Sequence, residues 1–176
     1  MESMRRLAAA TLCVAVGMGA AGCGKSLAVP KDFCGVPARE TTLAPLLPEG
    51  EHLKNWQAEP PGAYADCSLQ VDGTQILDVT VRRIEDQLAP EDWRAATKRF
   101  SQAAGRNMNF PGTAVIGSDG ALVSADCGTP SSYLTFSISF HGDRVEHSGT
   151  GYKKLQRFLD EFVPAVTKKV ECTADS

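Results

Sequence analysis

Two stretches of the chain alternate strictly between apolar and polar residues. Leu77, Val79 and Val81 interleave with Asp78, Thr80 and Arg82, and Leu134, Phe136, Ile138 and Phe140 interleave with Thr135, Ser137 and Ser139. A period of two places one set on a buried face and the other in water, which predicts half-buried β-strands. Residues 67–71 and 74–84 flank Asp72-Gly73, a pair favoured in type I′ turns, and so predict a hairpin. Residues 113–127 predict a second β region, broken at Ser118-Asp119-Gly120 into another hairpin; Thr129-Pro130 then turns the chain into the 133–140 strand, and His141-Gly142-Asp143 turns it out again.

The spacing changes to that of helices elsewhere. After the hairpin, Pro90 suits a first helical turn, Glu91 and Asp92 suit its positive end, and Gly105 can end it, with Trp93, Ala96, Phe100 and Ala104 on one stripe. Over 152–170, Leu155, Phe158, Leu159, Phe162, Val163 and Val166 make an apolar stripe, and Pro164 is expected to kink or interrupt that helix. A short helix is expected at Leu43, Leu46 and Leu47, limited by Pro45. Residues 49–65, with Pro60-Pro61-Gly62, read as a loop that Trp56 anchors into the core. The expected order is roughly α-β-β-α-β-β-α. Adjacent hairpins imply a mainly antiparallel sheet with amphipathic helices packed on it, a single α+β sandwich.

The N-terminus carries a different pattern. Arg5 and Arg6 precede an uncharged run over 7–21. As a helix that run would span about 22 Å, short of the roughly 30 Å hydrocarbon core, and it reads as a signal-peptide h-region. Arg5-Arg6 suggests a twin-arginine signal, but Met4 and Leu7-Ala8-Ala9 around it fit the ordinary export route better. The run ends in Ala20-Ala21-Gly22-Cys23, which resembles a bacterial lipobox, with Ala20 where that family usually has leucine. The resemblance implies cleavage before Cys23, diacylglycerylation of its thiol and acylation of the new amino group. It implies a signal peptide over 1–22, a lipidated Cys23 with a short tether over 23–35, and an extracytoplasmic domain over 36–176. Two acyl chains suffice for stable anchoring. The protein would then sit on the outer face of the cell membrane; the alternative is cleavage that releases a soluble form.

The mature chain, in its Ala/Gly richness, short tether and spaced cysteines, resembles small disulfide-containing lipoproteins of unknown function from high-GC Gram-positive bacteria. That group brings no catalytic residues to transfer. Some extracytoplasmic domains of comparable element order adopt a photosystem-II-P-like α/β/α sandwich, a likeness of fold alone. A competing motif overlaps the leader: Gly19-Ala20-Ala21-Gly22-Cys23-Gly24-Lys25-Ser26 matches the phosphate-loop pattern G-x-x-x-x-G-K-S. A phosphate loop must open a helix, and Pro30 and Pro37 oppose a long one there, so P-loop nucleotide binding is a remote alternative.

Composition narrows the partners. The 176 residues suit one ordinary domain, and 18 Lys+Arg against 21 Asp+Glu give a net charge of −3. Cleavage removes Glu2, Arg5 and Arg6 and leaves 16 against 20, a net −4. That charge gives no footprint for general nucleic-acid binding. Of six cysteines, Cys13 leaves with the leader and Cys23 carries lipid. Cys34, Cys67, Cys127 and Cys172 remain, the even number that two disulfides require in an exported domain. Three pairings are open. Cys34–Cys67 and Cys127–Cys172 are favoured because each ties a terminal segment to the start or end of a predicted strand. On the chain-entropy model each bridge would contribute about 4 kcal/mol. Zinc is the weaker reading, because no Cys-x-x-Cys pair occurs.

Few residues offer chemistry. His141, His147, Asp143 and Glu146 form the one tight cluster of metal-type ligands, in a polar turn. Ser118, Ser124 and Ser148 lack a G-x-S-x-G context. Asp66, Asp72 and Asp78 lie along one hairpin, where turn and strand roles account for them. The basic doublets Arg82-Arg83, Lys153-Lys154 and Lys168-Lys169 are scattered; those on the last helix suit a solvated face or anionic headgroups. Trp56, Trp93, Tyr64 and Tyr133 either pack into the core, their commoner use, or line a ligand cleft. The expectation is a non-catalytic binding or accessory module of the cell envelope. It has no assigned catalytic, cofactor or metal residues, and its partner is an envelope protein, another envelope component or a small ligand. The alternative is a secreted or anchored hydrolase.

Overall fold

The computed structural model describes residues 27–58, 64–128 and 132–172. The expected signal peptide, Cys23 and the phosphate-loop pattern lie outside the described residues.

The alternating stretches form one seven-stranded antiparallel sheet, and the architecture is α+β. A two-stranded ribbon comes first, β1 (Asp32–Phe33) and β2 (Val36–Pro37), followed by the helix α1 (Glu40–Leu43) and a 3-10 turn over Ala44–Leu46. The large sheet comprises β3 (Leu53–Ala58), β4 (Ala65–Val71), β5 (Thr74–Ile84), β6 (Ala104–Arg106), β7 (Gly112–Ile116), β8 (Gly120–Asp126) and β9 (Tyr133–Phe140), in the order β3-β4-β5-β9-β8-β7-β6. Two meanders therefore meet where β5 pairs with β9. Between them the chain crosses to the far edge through α2 (Pro90–Arg99), and it ends in α3 (Lys153–Lys169).

The β4–β5 turn has positive φ at both Asp72 and Gly73, +50° and +82°, as a type I′ turn demands. Asp72 does more than turn the chain. Its carboxylate accepts the backbone N–H of His52 (2.8 Å) and of Glu51 (3.1 Å), so it fastens the start of β3 to the hairpin tip. Those two N–H groups, His52 first, hold the carboxyl below the ordinary carboxylate range.

One face of the sheet is the core. Cys67, Val79, Ile138, Ala121 and Ile116 form one row across five strands, and Ala65, Val81, Phe136, Val123 and Ala114 form the next. Every one of these side chains is buried. The apolar stripe of α3 closes this face: Phe162 meets Phe136 edge-on at 6.1 Å and stacks on Phe158 at 5.0 Å. Phe33 completes the aromatic group, 5.7 Å from Phe162 and fully buried. Residues 27–35, expected to be tether, thus belong partly to the body, with Leu27 and Val29 also packed on the core. Cys34 is joined to Cys67 and Cys127 to Cys172, so the first ribbon is tied to β4 and the end of α3 to the β8–β9 connection.

Three expectations change. Pro164 does not interrupt α3, which is continuous from Lys153 to Lys169. A proline has no N–H for the carbonyl of residue 160. With the Asn109 amide nitrogen turned toward Asp160, it donates to that carbonyl at 3.2 Å and to Asp160 Oδ1 at 3.1 Å, and the orphaned acceptor is satisfied from outside the helix. Next, α2 stops at Arg99 rather than near Gly105, and Ala104–Arg106 pairs as the short edge strand β6. Finally, residues 53–58 are not loop but the opposite edge strand, and Trp56 is 55% exposed instead of anchored in the core. Its register explains this: Trp56 pairs with Ser68, which points away from α3. The element order is longer than expected, with nine strands where α-β-β-α-β-β-α has four, the ribbon of β1 and β2 ahead of the first helix, and a 3-10 turn directly after α1.

Candidate functional site

The second face of the sheet is only partly covered. Helix α2 packs on it through Ala96 and Phe100 against Val115 and, at its margin, Leu122, over β7 and β8. A Cβ on Gly120 would strike the Phe100 ring, so the absence of a side chain there lets the helix end settle on the sheet. From β8 back to the β3 edge no helix of the described residues lies on this face.

Register places its side chains in rows. Trp56, Ser68, Asp78, Ser139 and Gly120 form the first, and Asp66, Thr80, Ser137 and Leu122 the second. Arg82, Thr135, Ser124 and Thr113 form the third, and Ile84, Tyr133 and Asp126 the fourth. The floor between Trp56 on one side and α2 on the other is made of hydroxyls and carboxylates. At a strand spacing of about 4.8 Å, the first row is about 19 Å wide. The trough has few fixed internal partners: Thr135 Oγ1 donates to Arg82 O (3.3 Å), and Asp78 holds His141 Nε2 (3.3 Å) and the Gln75 amide. Among the described residues, the buried Oδ1 of Asp66 has no hydrogen-bond partner. At the α2 end, Leu88, Trp93, Thr113, Ser124, Asp126 and Tyr133 line a hollow of about 220 Å³. Three of the four aromatic residues singled out from the sequence thus border this face, while Tyr64 packs against the core.

On the opposite side of the molecule, a cleft of about 450 Å³ runs between the 33–43 segment and α3. Its floor is Phe33, Leu43, Phe158 and Phe162, all at most 5% exposed, and Pro37, Ala38, Pro164 and Ala165 add apolar walls. Glu161 closes its mouth, accepting from Thr42 Oγ1 (3.0 Å) and pairing with Arg39 (3.5 Å). Lys168 stands at the rim, and its neighbour Lys169 approaches Gly35.

The histidine cluster does not converge. His141 turns to Asp78, whereas His147 Nδ1 lies 2.9 Å from Ser118 Oγ. Among the described residues, no group of three or more His, Cys, Asp or Glu side chains is placed to hold a metal ion. The Ser118–His147 pair was invisible in the sequence, since 29 positions separate the two. It has the composition of a nucleophile and its base, yet Ser118 is 1% exposed and its hydroxyl also reaches Ser101 O (3.3 Å). The nearby Asp119 carboxylate binds Ser101 N and Oγ, both at 2.7 Å, rather than the imidazole. As arranged, the pair fastens the loop after β9 to the β7–β8 turn. Of the basic doublets, Arg83 is absorbed structurally: it donates to Val170 O and to Ser132 Oγ, both at 3.2 Å, and pins the end of α3. Among the described residues, no helix is long and apolar enough to cross a membrane.

Comparison of the chain with protein-family models, with curated proteins and with solved structures returns no match.

Proposed function

We propose that the protein is a membrane-anchored extracytoplasmic lipoprotein, held by lipid on Cys23, whose folded body is a non-catalytic binding or accessory module of the cell envelope. The observation that carries this reading is the pair of disulfides, Cys34–Cys67 and Cys127–Cys172, which belongs to an oxidising compartment. It agrees with the leader and lipobox at the N-terminus. The binding role is supported by a broad polar sheet face, bordered by Trp56, Trp93 and Tyr133, that no helix of the described residues covers between β9 and the β3 edge. The test is the intact mass of protein extracted from membranes, before and after reduction and alkylation. A chain starting at a lipidated Cys23, with four thiols labelled only after reduction, is expected. An unprocessed chain with freely labelled thiols would sink the proposal.

An anchored hydrolase has one observation in its favour, the Ser118–His147 contact. In that reading Ser118→Ala abolishes turnover of an ester substrate. In the binding-module reading the purified protein shows no Ser118-dependent turnover to abolish.

A further inference from the structure

The geometry points to a glycan strand as the partner of the uncovered sheet face, a step that rests on the binding-module reading and gives it a ligand class. Three features of the trough define that chemistry. Its floor offers hydroxyl groups from the half-buried Thr80, Ser137 and Ser139, together with the carboxylates of Asp66 and Asp78, while Ser68 and Thr135 lie buried between them. Such groups exchange hydrogen bonds with a polyhydroxylated partner.

The charge on this face is the second feature. Asp66, Asp78 and Asp126 stand there against Lys54 and Arg82, a slightly acidic balance that does not attract phosphate, sulfate or anionic headgroups and suits a neutral or amino-bearing chain. The third is the position of the aromatic rings. Trp56, the one large apolar side chain that is exposed among the described residues, stands at one border, and Trp93 and Tyr133 stand at the hollow by α2. An indole offers a flat apolar face and a polar N–H, which suits a sugar ring with an apolar C–H side and a hydroxylated rim. Trp56 and Tyr133 are separated by three strand steps and six residues of strand, about 14 Å across and about 20 Å along. One sugar ring cannot reach both borders, so the fitting ligand is an oligomer or polymer.

The test uses the mature, lipid-bearing protein in detergent, with insoluble chitin, cellulose and purified bacterial cell-wall peptidoglycan as probes and dextran sulfate as the anionic control. Retention on at least one of the three glycans, and none by dextran sulfate, is expected. Trp56→Ala lowers apparent affinity about tenfold or more, the scale of losing one aromatic anchor. Ser137→Arg, which fills the middle of the floor, does the same. Trp56→Phe retains most of the binding, and Lys168→Ala, on the other side of the molecule, changes nothing. Circular dichroism confirms that each variant is folded. Retention by none of the glycans overturns the proposal, and so does wild-type retention in both Trp56→Ala and Ser137→Arg. The two readings fail separately. A chain without lipid that glycan still retains through Trp56 removes the anchor and leaves the trough; a lipidated chain retained by no glycan removes the trough alone.

Discussion

The two faces of one sheet were built from the same strands and serve opposite ends. On β9, Phe136 points into the aromatic group under α3 and is fully buried, while its neighbour Ser137 lies on the open floor beside Thr80. The α3 face is closed by six apolar side chains of one helix and by the first ribbon, and its cleft is floored by rings already packed on one another. Among the described residues, the other face receives only the short α2, over two strands, and keeps a wide polar area beside it. Amphipathic strands need one dry face, and covering the second is optional. A face left polar and bordered by one exposed tryptophan and two half-buried aromatic residues is where recognition can be built without loss of core.

The largest expected contrast is between adjacent residues. Phe136→Ala should cost about 3–5 kcal/mol, because it removes a fully buried ring and leaves a cavity. Ser137→Ala should stay within about 0.5 kcal/mol of wild type. Urea unfolding of the two variants measures this directly, and a similar cost for both would mean that the second face is also core. Next in size is the bridge that seals the first ribbon to the α3 side. Replacing both Cys34 and Cys67 by Ala should cost about 2–5 kcal/mol, read as a lower urea midpoint.

A smaller effect separates how α3 tolerates its proline. Asn109→Ala should cost about 1 kcal/mol, because it strips the donor from a carbonyl that the helix cannot satisfy. In a Pro164→Ala background the backbone N–H returns, and the same Asn109 change should be nearly neutral. Equal costs in the two backgrounds would show that Asn109 does not serve that carbonyl.

The smallest effect concerns Asp72, at the exposed edge of the polar half. Its folded-state carboxyl is held below the unfolded value, so its contribution is present above the unfolded carboxylate range and is lost as pH falls through the folded one. Asp72→Asn should therefore flatten the acid limb of stability between about pH 5 and about pH 2, seen in urea midpoints across that range. An unchanged slope would remove Asp72 as a contributor.

Legibility followed the range of the interaction. The β4–β5 hairpin, the β7–β8 hairpin, β9 and α3 were all readable, because period and turn chemistry act over a few neighbouring residues. The edge strand β3 was not. Its sequence, Leu-Lys-Asn-Trp-Gln-Ala, carries little alternation, since an edge strand is wet on both sides and is specified mainly by pairing with β4. The size and apolarity of Trp56 point to the core; only the register with Ser68 turns it to the open face. Asn109 and Pro164 tell the same story, with a local rule overridden by a donor 55 residues away.

By itself, then, the sequence determined which residues would be dry: a stripe of α3 and one side of each strong strand, because burial of apolar surface is encoded residue by residue. It also supplied an even set of four cysteines in the body and an uncharged N-terminal run ending in Ala20-Ala21-Gly22-Cys23. Tertiary structure decided what lies beside what. It brought His147 to a buried Ser118, aligned hydroxyls and carboxylates from four strands into one floor, and left Trp56 at its edge. Those arrangements depend on strand order and register, which are set by the packing of the whole chain and have no signature in any short segment.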